Sequence, residues 1–345
     1  MKTVTYQKHV LNFKQPSGTS RGVLHTKETW YIKISENNQQ GIGECGMFKG
    51  LSIDDRLDYE EKLQWLCDHI NSDLDILLQE LTEFPSIQFG LEMALKSLEA
   101  KNQFELFPSE FTTGTKSISI NGLIWMGSED FMRQQVKDKI ESGFSCIKMK
   151  IGAINFKAET DILKSIRKEF SSKDIELRVD ANGAFSPSEA LEKLKILSEF
   201  DLHSIEQPIK QGQVEAMSQL CEKTPLPIAL DEELIGVFSK EDKAELLKII
   251  NPHYIILKPT LIGGFKGSED WITSAERNNI GWWITSALES NIGLNAIAQY
   301  TYTKQNKLPQ GLGTGGLFTN NIDSPLEVKN GALNYNTTKK WNFNL

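Results

Sequence analysis

The chain has 345 residues, 39% hydrophobic and 24% charged, a balance that suits a folded globular protein built as one large barrel or as two domains. A formal charge of −8 excludes a basic footprint for nucleic acid or an anionic membrane, so any positive charge for an anionic ligand must be local. Four scattered cysteines without a Cys-x-x-Cys pair and five unclustered histidines argue against a disulfide framework and against zinc.

The N-terminal run MKTVTYQKHVLNF alternates like a strand and lacks a signal-peptide core. No stretch is long and apolar enough for a membrane span, so a cytoplasmic protein with reduced thiols is expected. VTYQKHVLNF and ETWYIKISE read as strands flanking a Gly/Pro/Ser loop, KQPSGTSRG, which carries Ser20 and Arg21. Two helices are predicted next. LDYEEKLQWLCDHI places Leu63, Leu66, Cys67 and Ile70 on one stripe. PSIQFGLEMALKSLEAK starts with a proline and aligns Ile87, Leu91, Ala94, Leu95 and Leu98. Strands followed by helices indicate a small α+β domain over residues 1–112.

From about residue 115 the pattern becomes a regular alternation of short apolar runs and helical segments. The runs are SISING, CIKMKIG, ELRVDANG, HSIEQP, PIALDEE, YIILKPT, WWITSALES and a weaker LPQGLGTG. Their polar ends fall at Asn121, Lys150, Asp180, Glu206, Asp231, Lys258 and Ser286, spaced 25 to 30 residues apart in number, close to the length of a βα unit. Seven or eight such units predict a parallel barrel over residues 113–315. No GxGxxG follows the first strand, which disfavours a dinucleotide fold.

The C-terminal ends of barrel strands open into one shared mouth, where active sites form. Read in order, they present Lys, Asp, Glu, Asp and Lys. A single strand-end carboxylate is commonly a cap or a half-exposed salt bridge, but five ionisable groups in one register are not independent accidents. Three carboxylates without His or Cys suit a hard ion such as Mg²⁺, and burying them together without a cation would be costly. A lysine beside a second ammonium and a dication has its pKa lowered and can act as a general base. The chemistry that needs both is removal of a proton from the carbon next to a carboxylate.

The runs KMK at Lys148–Lys150, DANG at Asp180, EQP at Glu206, DE at Asp231 and KP at Lys258 resemble the enolase superfamily, in its muconate-lactonizing subgroup. Sites of this superfamily combine a Lys or His base with Mg²⁺. The likeness extends over nearly the whole chain. It implies a modified TIM barrel, (β/α)7β, with an α+β capping domain completed by residues 316–345. It also implies Asp180, Glu206 and Asp231 as ligands of Mg²⁺, with Mn²⁺ as a substitute. Lys150 would be the acid/base, Lys258 the stabilising cation on the opposite face and Lys148 a group that tunes its partner. Asn182 and Glu232 would stand behind them.

TSRG, SALESNIGLNAIAQ and GLGTGGLFTNNI further resemble a hydro-lyase branch that serves menaquinone biosynthesis. That resemblance implies syn loss of water from a succinyl-bearing hydroxycyclohexadiene carboxylate to give an aromatic acid. Ser20, Arg21, Ser286 and Gly313 are the expected contacts to this small-molecule carboxylate substrate. The P-loop reading of GLGTGG fails because no Lys-Ser/Thr follows. Alternatives on the same site are an N-acylamino acid racemase, a dipeptide epimerase or a muconate cycloisomerase. Dipeptide epimerases carry an Asp-x-Asp where this chain has Asn321-Ile322-Asp323, which weakens that reading. A barrel that has lost its chemistry would not be expected to keep all five groups. The sequence sets no oligomeric state.

Overall fold

The computed structural model describes residues 1–19 and 22–343. Strands β1 (Thr3–Thr19) and β2 (Gly22–Glu36) form a long antiparallel ribbon, and β3 (Gln39–Cys45) pairs along the other edge of β2. The loop expected over residues 14–22 is instead largely hairpin. Pairing runs from Thr3↔Ser35 to Asn12↔Thr26, breaks, and resumes at Ser17↔Leu24 through Thr19↔Gly22. The break has a local cause. Pro16 has no N–H to give a ladder, while Phe13 bridges Phe318 and Lys14 N donates to Leu317 O at 2.8 Å. Ser20 and Arg21 lie outside the described residues.

Helices α1 (Tyr59–His69), α2 (Leu74–Glu80) and α3 (Pro85–Glu99) follow. The predicted stripes do bury: Leu63, Leu66, Ile87, Leu91 and Ala94 are in the core of this unit with Trp30, Ile32 and Ile34. Helix α2 was not apparent in the sequence, being short and flanked by polar turns. Helix α3 lies on β3 with almost no side chain between the backbones. A Cβ on Gly43 would sit 1.9 Å from Gly90 O, and one on Gly41 2.0 Å from Ala94 O.

The second unit begins with β4 (Ile118–Ser119) and β5 (Gly122–Ile124), then α4 (Glu129–Glu141) and β6 (Cys146–Lys150). Next come α5 (Phe156–Glu169), β7 (Glu176–Asp180), α6 (Pro187–Ser198), β8 (Ser204–Glu206), α7 (Val214–Lys223) and β9 (Ile228–Leu230). They are followed by α8 (Lys240–Ile250), β10 (Tyr254–Leu257), α9 (Pro259–Ile262), α10 (Gly264–Arg277), β11 (Gly281–Ile284) and α11 (Asn291–Thr303). Strands β5 to β11 form one parallel sheet in sequence order. Both faces are covered, so the strands read as apolar runs, with Ile147, Met149, Leu177 and Val179 fully buried. The sheet curls until Ile120 bridges Gln310 and Thr285 bridges Gly311. The expected eighth strand is only this pair of bridges, because the glycine-rich run beyond Pro309 cannot sustain a ladder. The first barrel strand also differs from expectation: it continues beyond Asn121 and ends at Ile124.

Strands β12 (Leu326–Lys329) and β13 (Ala332–Tyr335) pair with β4 in a separate sheet. The last described residues return to the first unit, where Trp341 stacks on Phe104 at 4.4 Å and Phe343 meets Tyr31 edge-on at 5.5 Å.

Candidate active site

The strand register assembles the site. In β6, Lys148 and Lys150 point to one face while Ile147 and Met149 point to the other. Lys150 is directly opposite Asp180, and Asp180 directly opposite Glu206. Asp231 follows β9 and Lys258 follows β10, which brings all six side chains to one end of the sheet. The three carboxylates are 1–3% exposed.

Three lysines share the acids among them. Lys148 Nζ donates to Asp180 Oδ2 at 3.0 Å and to Glu206 Oε2 at 2.6 Å. Lys150 Nζ donates to the same Asp180 oxygen at 3.1 Å and to Asn182 Oδ1 at 2.6 Å. On the far side Lys258 Nζ donates to Asp231 Oδ2 and lies 4.0 Å from Glu206 Oε1. Asn182 adopts φ +43°, a left-handed turn that asparagine tolerates better than most residues. This lets its amide face both ways: Oδ1 accepts from Lys150, and Nδ2 donates to Glu232 Oε1 at 3.0 Å.

Charge and burial pull the groups in different directions. Burial alone would raise the Asp180 carboxyl, but the ammoniums of Lys148, Lys150 and Lys258 outweigh it and hold the group below the usual range. Glu206 goes the other way, pushed well above the ordinary value by burial and by Asp180 despite Lys148. Burial would lower Lys148 and Lys258. Asp180 and Glu206 raise the first, and Asp231 and Glu206 the second, so both lie above the ordinary lysine range. The nearest neighbours of both lysines are carboxylates, which favour the ammonium form.

The site opens into a cavity of about 350 Å³ lined by Lys148, Lys150, Asp180, Asn182, Glu232 and Lys258. Asn121 and Trp125, which flank the first barrel strand β5, and Phe48 and Leu51 from the loop after β3, complete its wall. Both described substrate-contact candidates, Ser286 and Gly313, also line it. Ser286 Oγ is tied to Glu289 Oε2 at 2.6 Å and to Thr314 Oγ1 at 2.8 Å. Glu289 additionally accepts from Ala287 N at 2.8 Å and from Thr260 Oγ1, two residues after Lys258. Sequence reading did not single out Glu289, because one acid in the run SALES carries no periodic or spacing signal. Asn321 is a clip: Oδ1 accepts from Asn291 N and Nδ2 donates to Gly315 O, both at 2.8 Å.

The residues fit a hard dication in their donor chemistry. Asp180, Glu206 and Asp231 offer an all-oxygen set, and Glu206 Oε1 is buried without a hydrogen-bond donor among the described residues. In the described conformation the lysines gather these oxygens. Asp180 and Glu206 converge on Lys148 and Asp231 turns to Lys258, so among the described residues no three ligating side chains already share one point.

Comparison with known proteins agrees with this geometry. Residues 131–339 match the family described as enolase C-terminal domain-like, and residues 1–98 match the MenC N-terminal domain. An o-succinylbenzoate synthase from Desulfotalea psychrophila is 46% identical over 96% of this chain and 98% of its own length. The crystal structure of MenC from the same organism superposes with a TM-score of 0.86 and 41% identity, covering 96% of this chain and 99% of that one. A dipeptide epimerase from Enterococcus faecalis, solved with Mg and the dipeptide L-Leu-L-Tyr, shares the fold at a TM-score of 0.81 and 19% identity over 96% of each chain. With two strand-end lysines, three strand-end acids and likeness along its full length, the chain belongs to the o-succinylbenzoate synthase family of the enolase superfamily.

Proposed function

We propose that the chain is an o-succinylbenzoate synthase that removes water, with syn geometry, from 2-succinyl-6-hydroxy-2,4-cyclohexadiene-1-carboxylate and releases 2-succinylbenzoate. The observation that carries this reading is one cavity with Lys150 and Lys258 on either side of the Asp180, Glu206 and Asp231 row. Mg²⁺, when held by those three carboxylates, supplies positive charge opposite the ring carboxylate of the substrate, and Mn²⁺ can take its place.

The remaining work belongs to side chains of the chain. Lys150, aimed by Asp180 and Asn182, takes the proton from the carbon beside the carboxylate and returns it to the hydroxyl that leaves from the same face. Lys258, fixed by Asp231, keeps its proton and offers positive charge to the opposite face. Lys148 holds Asp180 and Glu206 together, and Glu232 steadies Asn182. Because the product is aromatic, the protein needs chiefly to position the reactant and stabilise developing charge.

The test is turnover of the cyclohexadiene substrate by purified protein. Chelation should abolish it and added Mg²⁺ restore it. Lys150→Ala should lower kcat by about 10³-fold or more while Mg²⁺ binding, read by calorimetry, is retained. No dehydration by the wild type, alongside racemisation of N-succinyl amino acids, would overturn the synthase reading.

A further inference from the structure

On the side next to β5 the barrel is closed by little more than one residue pair. Asn121 N donates to Gln310 O and Gln310 N to Ser119 O, each at 2.9 Å, and Ile120 bridges Gln310. Three residues on, the two segments still touch but are no longer paired. A Cβ built on Gly313 would meet only Ile120 Cδ1 at 3.5 Å and Asn121 O at 3.8 Å.

The cavity uses this seam. Leu123 pairs with Lys148 and shares its inward face, whereas Gly122 next to it turns outward. There a Cβ would meet the Cγ and Cδ atoms of Lys139 at 3.1 Å and Phe144 Cδ1 at 3.2 Å. Lys139 and Phe144 nevertheless line the same cavity as Lys148, together with Val328 of β12. The cavity therefore passes from the catalytic lysines between the strands into the layer outside the sheet.

Four lysines line this space, and three are engaged by the site: Lys148 with Asp180 and Glu206, Lys150 with Asp180 and Asn182, Lys258 with Asp231. The ammonium of Lys139 on α4 makes no hydrogen bond or ion pair among the described residues. Its ammonium lies 5.1 Å from the centroid of Phe144, and it is half-buried, which lowers its pKa. A dicarboxylic substrate brings two anions into the cavity. One belongs beside the acid–lysine row. The other, at the end of the succinyl arm, would be costly to take from water without a cation.

We propose that Lys139 is a specificity-determining residue that holds the distal carboxylate of the substrate, with the succinyl arm seated in the barrel seam. Phe144, Leu317 and Val328 give its methylene groups an apolar wall. The inference rests on the synthase reading, and its test separates the two. Steady-state kinetics and equilibrium binding of 2-succinylbenzoate would be measured for the wild type, Lys139→Met and Lys139→Arg, together with binding of the distal carboxamide of that product. Lys139→Met should raise KM and the product Kd by roughly 10- to 100-fold with kcat little changed, and Lys139→Arg should recover most of the loss. The carboxamide should bind wild type and Lys139→Met equally. Values for Lys139→Met within twofold of wild type would overturn the inference, as would equal weakening of the acid and its amide. A wild type without turnover would count against the synthase reading, and the binding arm would still decide the role of Lys139.

Discussion

Lys148 shows how a charged side chain can occupy an apolar strand. The residue is 7% exposed, but its ammonium lies between two carboxylates that would otherwise repel each other in a dry interior. Removing one partner from such a cluster costs far more than the cluster contributes over an apolar equivalent. Lys148→Met should therefore destabilise the protein by about 3–5 kcal/mol in urea unfolding. Mg²⁺ should raise the Tm of the variant more than that of the wild type, since it would replace the missing positive charge. An unchanged midpoint would contradict this role for Lys148. A second buried group carries a pH signature. Asp54 is fully buried, and burial raises its carboxyl from the ordinary 3.8 to about 6 despite hydrogen bonds from Ser86 N and Oγ. The folded protein binds the extra proton between those values, so stability falls as pH rises from about 4 to 6, by on the order of 3 kcal/mol. Asp54→Asn should lose this slope. Urea midpoints of wild type and variant at pH 4.5 and 7.5 would check it, and parallel pH dependences would refute it.

At the scale of elements, the contact between β3 and α3 is set by what is missing. Gly41 and Gly43 share one face of the strand and meet the helix at Ala94 and Gly90, so the backbones touch. Gly90 is similarly confined, with a Cβ there reaching 2.3 Å from Cys45 Sγ. Gly43→Ala should separate the two elements and cost roughly 3 kcal/mol or more, above the usual range for an added methyl, because the obstacle is backbone and cannot rotate away. Thermal unfolding would show this as a lowered Tm, while Gly316→Ala, where nothing lies within 4 Å and φ is not in the left-handed region, serves as the control for a change of glycine alone. The strand ends follow the opposite logic. There the side chains matter and the backbone register delivers them, as the direct pairing of Lys150 with Asp180 and Asp180 with Glu206 demonstrates.

For the whole molecule, the decisive joint is between the N-terminal unit and the barrel. Glu44, at the end of β3, is fully buried and reaches the start of α11. It accepts from Ser290 N at 2.9 Å, Ser290 Oγ at 2.6 Å and Gly293 N at 2.8 Å, and also from Thr29 Oγ1 at 2.9 Å. A carboxylate at a helix N-terminus is favoured by the helix dipole as well as by these donors. Next to it, Glu289 clasps Ser286 and Thr260, and Lys27 from β2 reaches Gly46 O at 3.1 Å. Phe48 and Leu51, which line the cavity, hang from the loop that starts at Gly46. Glu44→Ala should leave several buried donors unpaired, destabilise the protein by about 3 kcal/mol and raise KM, since the loop over the cavity loses its anchor. Equilibrium unfolding and steady-state kinetics test both parts, and an effect on neither would remove Glu44 from this role.

The sequence by itself determined the alternation of strands and helices and the row Lys150, Asp180, Glu206, Asp231, Lys258, Ser286. Those features are local: a polar residue ends each apolar run, and the runs recur at the length of a βα unit. It also determined the amphipathic stripes of α1 and α3, because helical spacing shows in one segment at a time. Other features depend on segments far apart in the chain, and only the tertiary structure decided them. Such are the hairpin running past Pro16, which is held by Phe318 and Leu317, and the near absence of an eighth strand. The partners of Glu289 and Glu44, the direction in which Lys258 and Glu206 titrate, and the cavity that Lys139 and Lys148 both line belong to the same group. Periodicity states which face a side chain takes, but hydrogen bonds, desolvation and cavity walls depend on what folds against that face.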